Sequence, residues 1–136
     1  MNTFPLKIVT PDGVKYDGQA QELVVRTITG DLGILAGHIS CVAPLGMGQA
    51  TVIIDDQHRF GACIGGMVSV VNGEVTLLPT TFEWAEDIDT ERAGASEQRA
   101  KEVLQDKSST SIDIKLAEAR LKRALIRKNV AMHKPK

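Results

Sequence analysis

The chain has 136 residues, 43% of them hydrophobic and 24% charged, with a formal net charge of −1. That length supports one domain, or a small domain with an appendage. Near-neutral charge and 4% aromatic residues argue against nucleic-acid binding and against a base-stacking platform, and no apolar run approaches the ~18 residues a membrane-spanning helix needs.

The N-terminal stretch Met1 to Lys7 has no signal or transit character, which gives the expectation of a cytoplasm-like compartment. Leu6 to Val9 reads as a strand, and Thr10-Pro11-Asp12-Gly13 as a type I turn with Pro second and Gly fourth. Val14 to Asp17 returns and Gly18 breaks it. Gln21 to Thr27 is the next strand, with Leu23 and Val25 on one face and Val24 on the other. Gly30 to His38 is a short apolar piece held between glycines, followed by Val42 to Leu45. Gln49 to Ile54 and Arg59 to Ile64 are strands joined by the turn Asp55-Asp56-Gln57-His58, and Gly65-Gly66 ends the second.

Met67 to Val71 and Glu74 to Leu78 are separated only by Asn72-Gly73. That dipeptide tolerates positive φ at both central positions and favours a type I′ hairpin. Pro79 closes the strand and Thr81 to Trp84 is a last one. About eight to ten short strands without intervening helices predict an antiparallel β-sandwich, or a flattened barrel, over residues 1–85.

Near residue 85 the rhythm changes. Beyond it there is one glycine, Gly94, and no proline until Pro135. The charge divides at the same place: residues 1–84 carry four Lys/Arg against eight Asp/Glu, and residues 85–136 carry twelve against nine. Residues 86–136 therefore read as a two-helix antiparallel hairpin. Asp87 or Asp89 can cap a first helix that runs to Gln105, and Asp106 to Ser109 link it to a second helix over 112–131. Ser109, Thr110 or Ser111 can cap that second helix, with Ile114, Leu121 and Leu125 as its apolar face and Ala117 and Ala124 alongside. Few large apolar residues stitch this hairpin, so detachment from the sandwich is an alternative to a static arrangement.

Arg120, Arg123 and Arg127 lie within one sector of the second helix, and Arg92 and Arg99 share a face of the first. In an antiparallel pair these guanidiniums converge into an anion site, since arginine's planar fork suits bidentate phosphate contacts. The alternative is a solvated face balanced by Glu91, Glu97 and Glu102.

Other chemistry is thinner. His38, Cys41, His58 and Cys63 are possible zinc ligands by type. The cysteines lie among strand formers, however, and read as small buried hydrophobes. His38 with Asp31 has the elements of an acid/base pair and Gly65-Gly66 those of a phosphate loop, but no nucleophile elbow, paired-carboxylate cleft, P-loop or metal set accompanies them. A non-enzymatic role follows. On the residues alone, a free-standing β-sandwich adaptor with a regulatory tail remains open.

Gly30-Asp31-Leu32-Gly33-Ile34-Leu35-Ala36-Gly37-His38 strongly resembles the Gly-Glu-Leu-Gly-Ile-Leu-Pro-Gly-His signature of the epsilon subunit of bacterial F-type ATP synthase. Val9 to Gly13, Ala43-Pro44-Leu45, Gly65-Gly66-Met67 and Val75 to Leu78 support it in the same order, over essentially the whole chain. Ala36 departs from the family's usual Pro. The resemblance implies a non-catalytic central-stalk subunit at the cytoplasmic face of the bacterial membrane. It would bind the gamma subunit and the c-ring, and would associate with the membrane only through the complex. Asp31 and His38 would face the c subunits, and the sandwich would help couple proton or sodium flux to ATP synthesis. The helical tail would transiently engage the catalytic alpha/beta head and inhibit ATP hydrolysis, and would permit turnover when folded down.

Ile88-Asp89-Thr90-Glu91-Arg92-Ala93 is also similar to the Ile/Leu-Asp-x-x-Arg-Ala motif of epsilon subunits that bind ATP, best known from bacilli. That likeness implies nucleotide-binding roles for Glu83, Ile88, Asp89, Arg92, Ala93, Arg99, Arg123 and Arg127. No cofactor is required, and ATP would be a regulatory ligand. Leu116 occupies a position that is basic in the bacillus pattern, and Arg120 is the nearby alternative cation.

Overall fold

The computed structural model describes residues 2–134. The last two positions of the expected tail lie outside the described residues. The chain divides into two compact units with the boundary between Trp84 and Ala85.

The first unit is an eight-stranded sheet folded into a sandwich, with strands β1 (Phe4–Thr10), β2 (Gly13–Ala20), β3 (Glu22–Thr27), β4 (Gly30–Leu35), β5 (Cys41–Pro44), β6 (Met47–Ile54), β7 (Gln57–Val71) and β8 (Glu74–Trp84). Strand order is β2-β1-β8-β7-β6-β3-β4, with β5 also paired to β7. Pairing is antiparallel except between β1 and β8, where Leu6–Ile8 run parallel to Val75–Leu77. That parallel pair corrects the all-antiparallel expectation.

The frame is the β7–β8 hairpin. Asn72 and Gly73 turn it with φ of 50° and 83°, as the type I′ reading requires. The first half of β7 pairs with β6, while Met67–Val70 pair with β5. One ribbon thus supplies strands to two layers, and alternate residues fill the space between them. Leu6, Ile8, Leu23, Val25, Ile34, Val52, Val68, Val70 and Leu77 are fully or almost fully buried there. Each such side chain contributes roughly 1.5–3 kcal/mol.

Several breaks read from the sequence are absent. Gly18 lies within β2, Gly65-Gly66 lie within β7, and Pro79 lies within β8. Flanking ladders override the local propensity to stop. Across Gly65 the β7–β8 register is unchanged, from Ile64↔Thr81 to Gly66↔Pro79. Gly65 and Gly66 have φ of 66° and 95°, so the strand bends there without slipping. Pro79 lies beyond the last β1–β8 pair, Ile8↔Leu77, where one flank of β8 is no longer laddered and a missing N–H costs least.

Trp84 closes the sandwich. Its indole N–H donates to the Lys15 carbonyl at 3.1 Å, the Arg59 guanidinium lies 3.8 Å over its ring, and Phe82 meets it edge-on at 4.9 Å. Cys63 is buried in the core and burial pushes its thiol up to about 12. Cys41 is only half-buried, against expectation. It lies on β5, which flanks one side of the ribbon only. Among the described residues no group of three or more His, Cys, Asp or Glu is placed to hold a metal.

The second unit opens with a 3-10 turn, Ala85–Asp87, followed by α1 (Thr90–Gln105) and α2 (Ser111–Ala131). The expected face of α2 is buried along its alanine side: Ala117 and Ala124, with Ala131, are buried, Leu121 is half-buried, and Ile114 and Leu125 are exposed. On α1 the buried positions are Ala93, Glu97 and Ala100. The alanines repeat every seven residues on both helices, and two helices can approach closely only along such small side chains.

Two glycine substitutions have opposite expected effects. A Cβ on Gly66 would collide with the Leu78 carbonyl and lie 2.7 Å from Pro79 Cα, at a φ of 95°. Gly66→Ala is expected to destabilise the sandwich by about 3 kcal/mol or more. Gly94 has open space around a Cβ and lies inside α1, so Gly94→Ala is expected to stabilise the helix by about 1 kcal/mol. Urea unfolding followed by circular dichroism and Trp84 fluorescence reads both.

Candidate functional site

Five of the eight expected nucleotide-site residues lie at the entry to α1 or along it, two lie on α2, and Glu83 lies in β8. Asp89 is the N-cap of α1, and its carboxylate accepts the Arg92 backbone N–H at 3.0 Å. This is the carboxylate's chemistry at a helix start, where backbone donors lack partners and the dipole favours negative charge. Ile88 and Ala93 are buried on either side of the cap. Lys134, beyond α2, donates to the Ile88 carbonyl at 2.6 Å. The motif Ile88-Asp89-x-x-Arg92-Ala93 therefore has a structural job irrespective of any ligand: two buried apolar anchors around a cap. Arg92 and Arg99 are exposed, and Arg123 and Arg127 are half-buried. Glu83 is half-buried and pairs with Ala62 in the sheet.

The pairing of α1 and α2 decides which arginines meet. Lys128 reaches Glu97 across the hairpin at 2.7 Å. From that contact, moving up α1 to Arg99 corresponds to moving down α2 to about position 126. At about 1.5 Å per residue, Arg99 lies within roughly one helical turn of Arg123 and Arg127, while Arg92 lies about 9 Å further along. The faces agree as well. At about 100° per residue, Glu97 and Lys101 fall on one side of the Ala93–Ala100 line, and Arg92 and Arg99 on the other. Lys128 similarly falls on one side of the Ala117–Ala124–Ala131 line, and Arg120, Arg123 and Arg127 on the other. The Glu97–Lys128 contact makes the first two sides coincide. The arginines therefore share the opposite flank, with Arg99, Arg123 and Arg127 close in height and Arg92 at one end.

Sequence reasoning missed the most constrained charge in this unit. Glu97 was grouped with solvated acids, but it is buried between the helices. Its spacing from Ala93 and Ala100 is the signal that could have found it, because positions four before and three after lie on one face. The hairpin loop is also tightly held. Thr110 and Asp113 form a reciprocal capping box, Ser109 Oγ donates to the Val103 carbonyl at 2.8 Å, and bonds from Ser108 hold the Asp106 carboxyl below the usual range. A groove of about 460 Å³ at this tip is lined by Val103, Asp106, Asp113, Leu116 and Arg120, among others, away from the motif at the α1 entry.

The second candidate region is Gly30 to His38. Thr27 Oγ1 donates to the Gly30 carbonyl at 2.6 Å, and β3 and β4 pair from Thr27↔Gly30 to Glu22↔Leu35. Asp31 is exposed and faces Arg26 at 3.5 Å, a pair worth little in water. The His38 backbone N–H closes the following turn on the Leu35 carbonyl at 3.1 Å, and its ring Nδ1 lies 2.8 Å from the Ile39 carbonyl. Leu35 and Ile39, its near neighbours in sequence, are exposed, as is Ile28 in the turn at the other end of β4. Asp31 and His38 thus lie near opposite ends of β4, the last strand in the sheet order, which does not suit proton transfer between them, and the exposed apolar side chains along that strand suit docking.

The two units coincide with two families. The family described as ATP synthase, Delta/Epsilon chain, beta-sandwich domain matches residues 3–85, and the family described as ATP synthase, Delta/Epsilon chain, long alpha-helix domain matches residues 86–132. The chain is 42% identical to the ATP synthase epsilon chain of Shouchella clausii over 98% of both chains. It is 46% identical to that of Bacillus licheniformis over 96% of this chain and 99% of the relative. The chain belongs to the epsilon-subunit family of bacterial F-type ATP synthase. The fold has the same pedigree: a chain in the structure of the Euglena gracilis mitochondrial ATP synthase matches it with a TM-score of 0.82 at 22% identity, covering 96% of this chain and 82% of that one. No helix among the described residues is long and apolar enough to cross a membrane.

The cap gives a direct test of what Asp89 does without ligand. Asp89→Ala is expected to cost the hairpin about 1 kcal/mol, seen as faster amide exchange over the first turns of α1, with the sandwich amides unchanged.

Proposed function

We propose that this member of the epsilon family is a non-catalytic subunit of the rotor at the cytoplasmic face of the bacterial membrane. Its sandwich docks on the gamma subunit and the c-ring, and its helical hairpin regulates ATP hydrolysis. The observation that carries the reading is the match to epsilon chains along nearly its whole length, through both units. The exposed edge with Asp31 and His38 is the part of the sandwich proposed to meet the c subunits. In this reading the tail inhibits hydrolysis when it leaves its folded position and engages the alpha/beta head. The basic residues Arg120, Lys122, Arg123, Arg127 and Lys128 suit acidic partner surfaces.

ATP is proposed as the ligand of the folded hairpin. Arg99, Arg123 and Arg127 on one flank supply a trivalent cationic patch for phosphates, with Arg92 further along. Ile88 and Ala93 give an apolar wall at the α1 entry, and Asp89 and Glu83 are acceptors for the adenine amino group or ribose hydroxyls. A ligand that binds only the closed form stabilises it by about 2.7 kcal/mol at a hundredfold excess over Kd. No hydrolysis at this site is part of the proposal, since no nucleophile-activating set accompanies the arginines.

Titration calorimetry of the chain with ATP, ADP and GTP tests the ligand. Saturable one-to-one binding of ATP is expected, weakened about tenfold or more by Arg99→Ala or Arg127→Ala. Equal heats from ATP and sodium sulfate at matched ionic strength would reduce the patch to a general anion surface and end the nucleotide reading.

Removing the tail tests regulation separately. A chain truncated after residue 87 keeps every strand and the whole buried sandwich core, and it is expected to assemble and raise ATP hydrolysis by the complex. Unchanged hydrolysis across a range of ATP and ADP concentrations would leave the hairpin without an inhibitory role.

A further inference from the structure

The hairpin has an unusual buried inventory. The side chains buried on α1 and α2 are five alanines, Val130 and Glu97. Alanine burial contributes far less than burial of a leucine or valine. Four large apolar residues of α2, Ile112, Ile114, Leu116 and Leu125, are exposed, while Leu121 and Ile126 on α2 and Val103 and Leu104 on α1 are half-buried. The fully buried apolar area of the hairpin is therefore small, which leaves room for a polar contribution to helix–helix contact.

Glu97 sits in the middle of the α1 seam. Its carboxylate accepts from Lys128 Nζ at 2.7 and 3.2 Å and from Lys101 Nζ at 3.3 Å. Lys101 from its own helix and Lys128 from α2 are the charged groups that face it. The Glu97 carboxylate is largely covered and both lysines are about half exposed, so the pair sits at the edge of the seam, where losing the cation costs more than on an open surface and less than in a dry core.

We propose that Glu97 is the latch of the hairpin: its carboxylate, seated among the alanines, ties α1 to α2 through Lys128 and is braced along α1 by Lys101. The alanines let the helices come close enough for the short Glu97–Lys128 contact, and the ion pair supplies what the alanines lack. The latch lies on the flank opposite the arginines, so it does not depend on the nucleotide reading. Any event that needs the helices apart has to break it first.

Its pH dependence has a definite sign. Hydrogen bonds from Lys128, then Lys101, hold the Glu97 carboxyl below its ordinary range. A depressed folded value means the contribution is fully present above the unfolded value of ~4.3. It is lost as pH falls through the lower folded value.

Amide hydrogen exchange on the full chain, expressed as protection factors, tests the latch. At neutral pH and low salt, Glu97→Gln and Lys128→Gln are each expected to lower protection of the α2 amides about fivefold, leaving Val52 and Leu77 in the sandwich unchanged. The double variant is expected to be no worse than either single one. Lys128→Arg keeps the charge and is expected to keep protection near wild type. Falling pH is expected to bring wild type and Glu97→Gln together only below about pH 4. Unchanged protection in Glu97→Gln overturns the proposal. So does a double variant whose loss is the product of the two single losses, or a Lys128→Arg loss as large as that of Lys128→Gln, which would make packing and not charge the hold.

Discussion

The sandwich depends on one ribbon, the β7–β8 hairpin. β6 and β5 pair with β7 and β1 pairs with β8, and the remaining strands join through these: β2 on β1, β3 on β6, and β4 on β3. That dependence puts a backbone requirement on Gly66, where β7 bends against Leu78 and Pro79. A side chain there would push apart the two strands that both layers share. The Asn72-Gly73 turn fixes register for the same reason: a one-residue slip would turn Val68, Val70, Val75 and Leu77 outward and empty the core.

The hairpin is built on a different physical basis. Its helices are specified by their ends: Asp89 at the start of α1, and Thr110 with Asp113 at the start of α2. Between those ends, closeness takes the place of apolar bulk. A unit held by caps and a charge pair responds to ligands and partners at modest energies, whereas the sandwich needs loss of several large side chains before it yields. The proposed division of labour, a docking body and a regulatory tail, matches that difference in how the two units are stabilised.

The sequence showed the change from strand to helix near residue 85, the Asn72-Gly73 hairpin and the caps, because each rests on local chemistry. It misplaced strand ends at Gly18, Gly65-Gly66 and Pro79, because ladders from strands distant in sequence carry the chain through local breakers. It missed the parallel β1–β8 pair for the same reason, since no pattern within either strand names its neighbour. It put Ile114, Leu121 and Leu125 at the centre of the packed face of α2 with Ala117 and Ala124 alongside, whereas the alanines are the buried residues, because size is a good guide to burial until close helix approach selects alanine instead. The arginine flank was legible from spacing, but its sharing between the helices needed the Glu97–Lys128 contact to set height and side.

The alanine seam has one more implication. Identical small residues at every seventh position carry almost no positional information. Sliding α2 along α1 by seven residues, about 10.5 Å, would again set alanine against alanine. The Glu97–Lys128 contact helps to tell the correct alignment from its shifted copies, as a polar residue in a coiled-coil seam does. The short loop, tied by Ser109 to Val103, and Lys134 on Ile88 mark the two ends of the same alignment. The hairpin thus has a smooth track with stops at both ends and one notch between them.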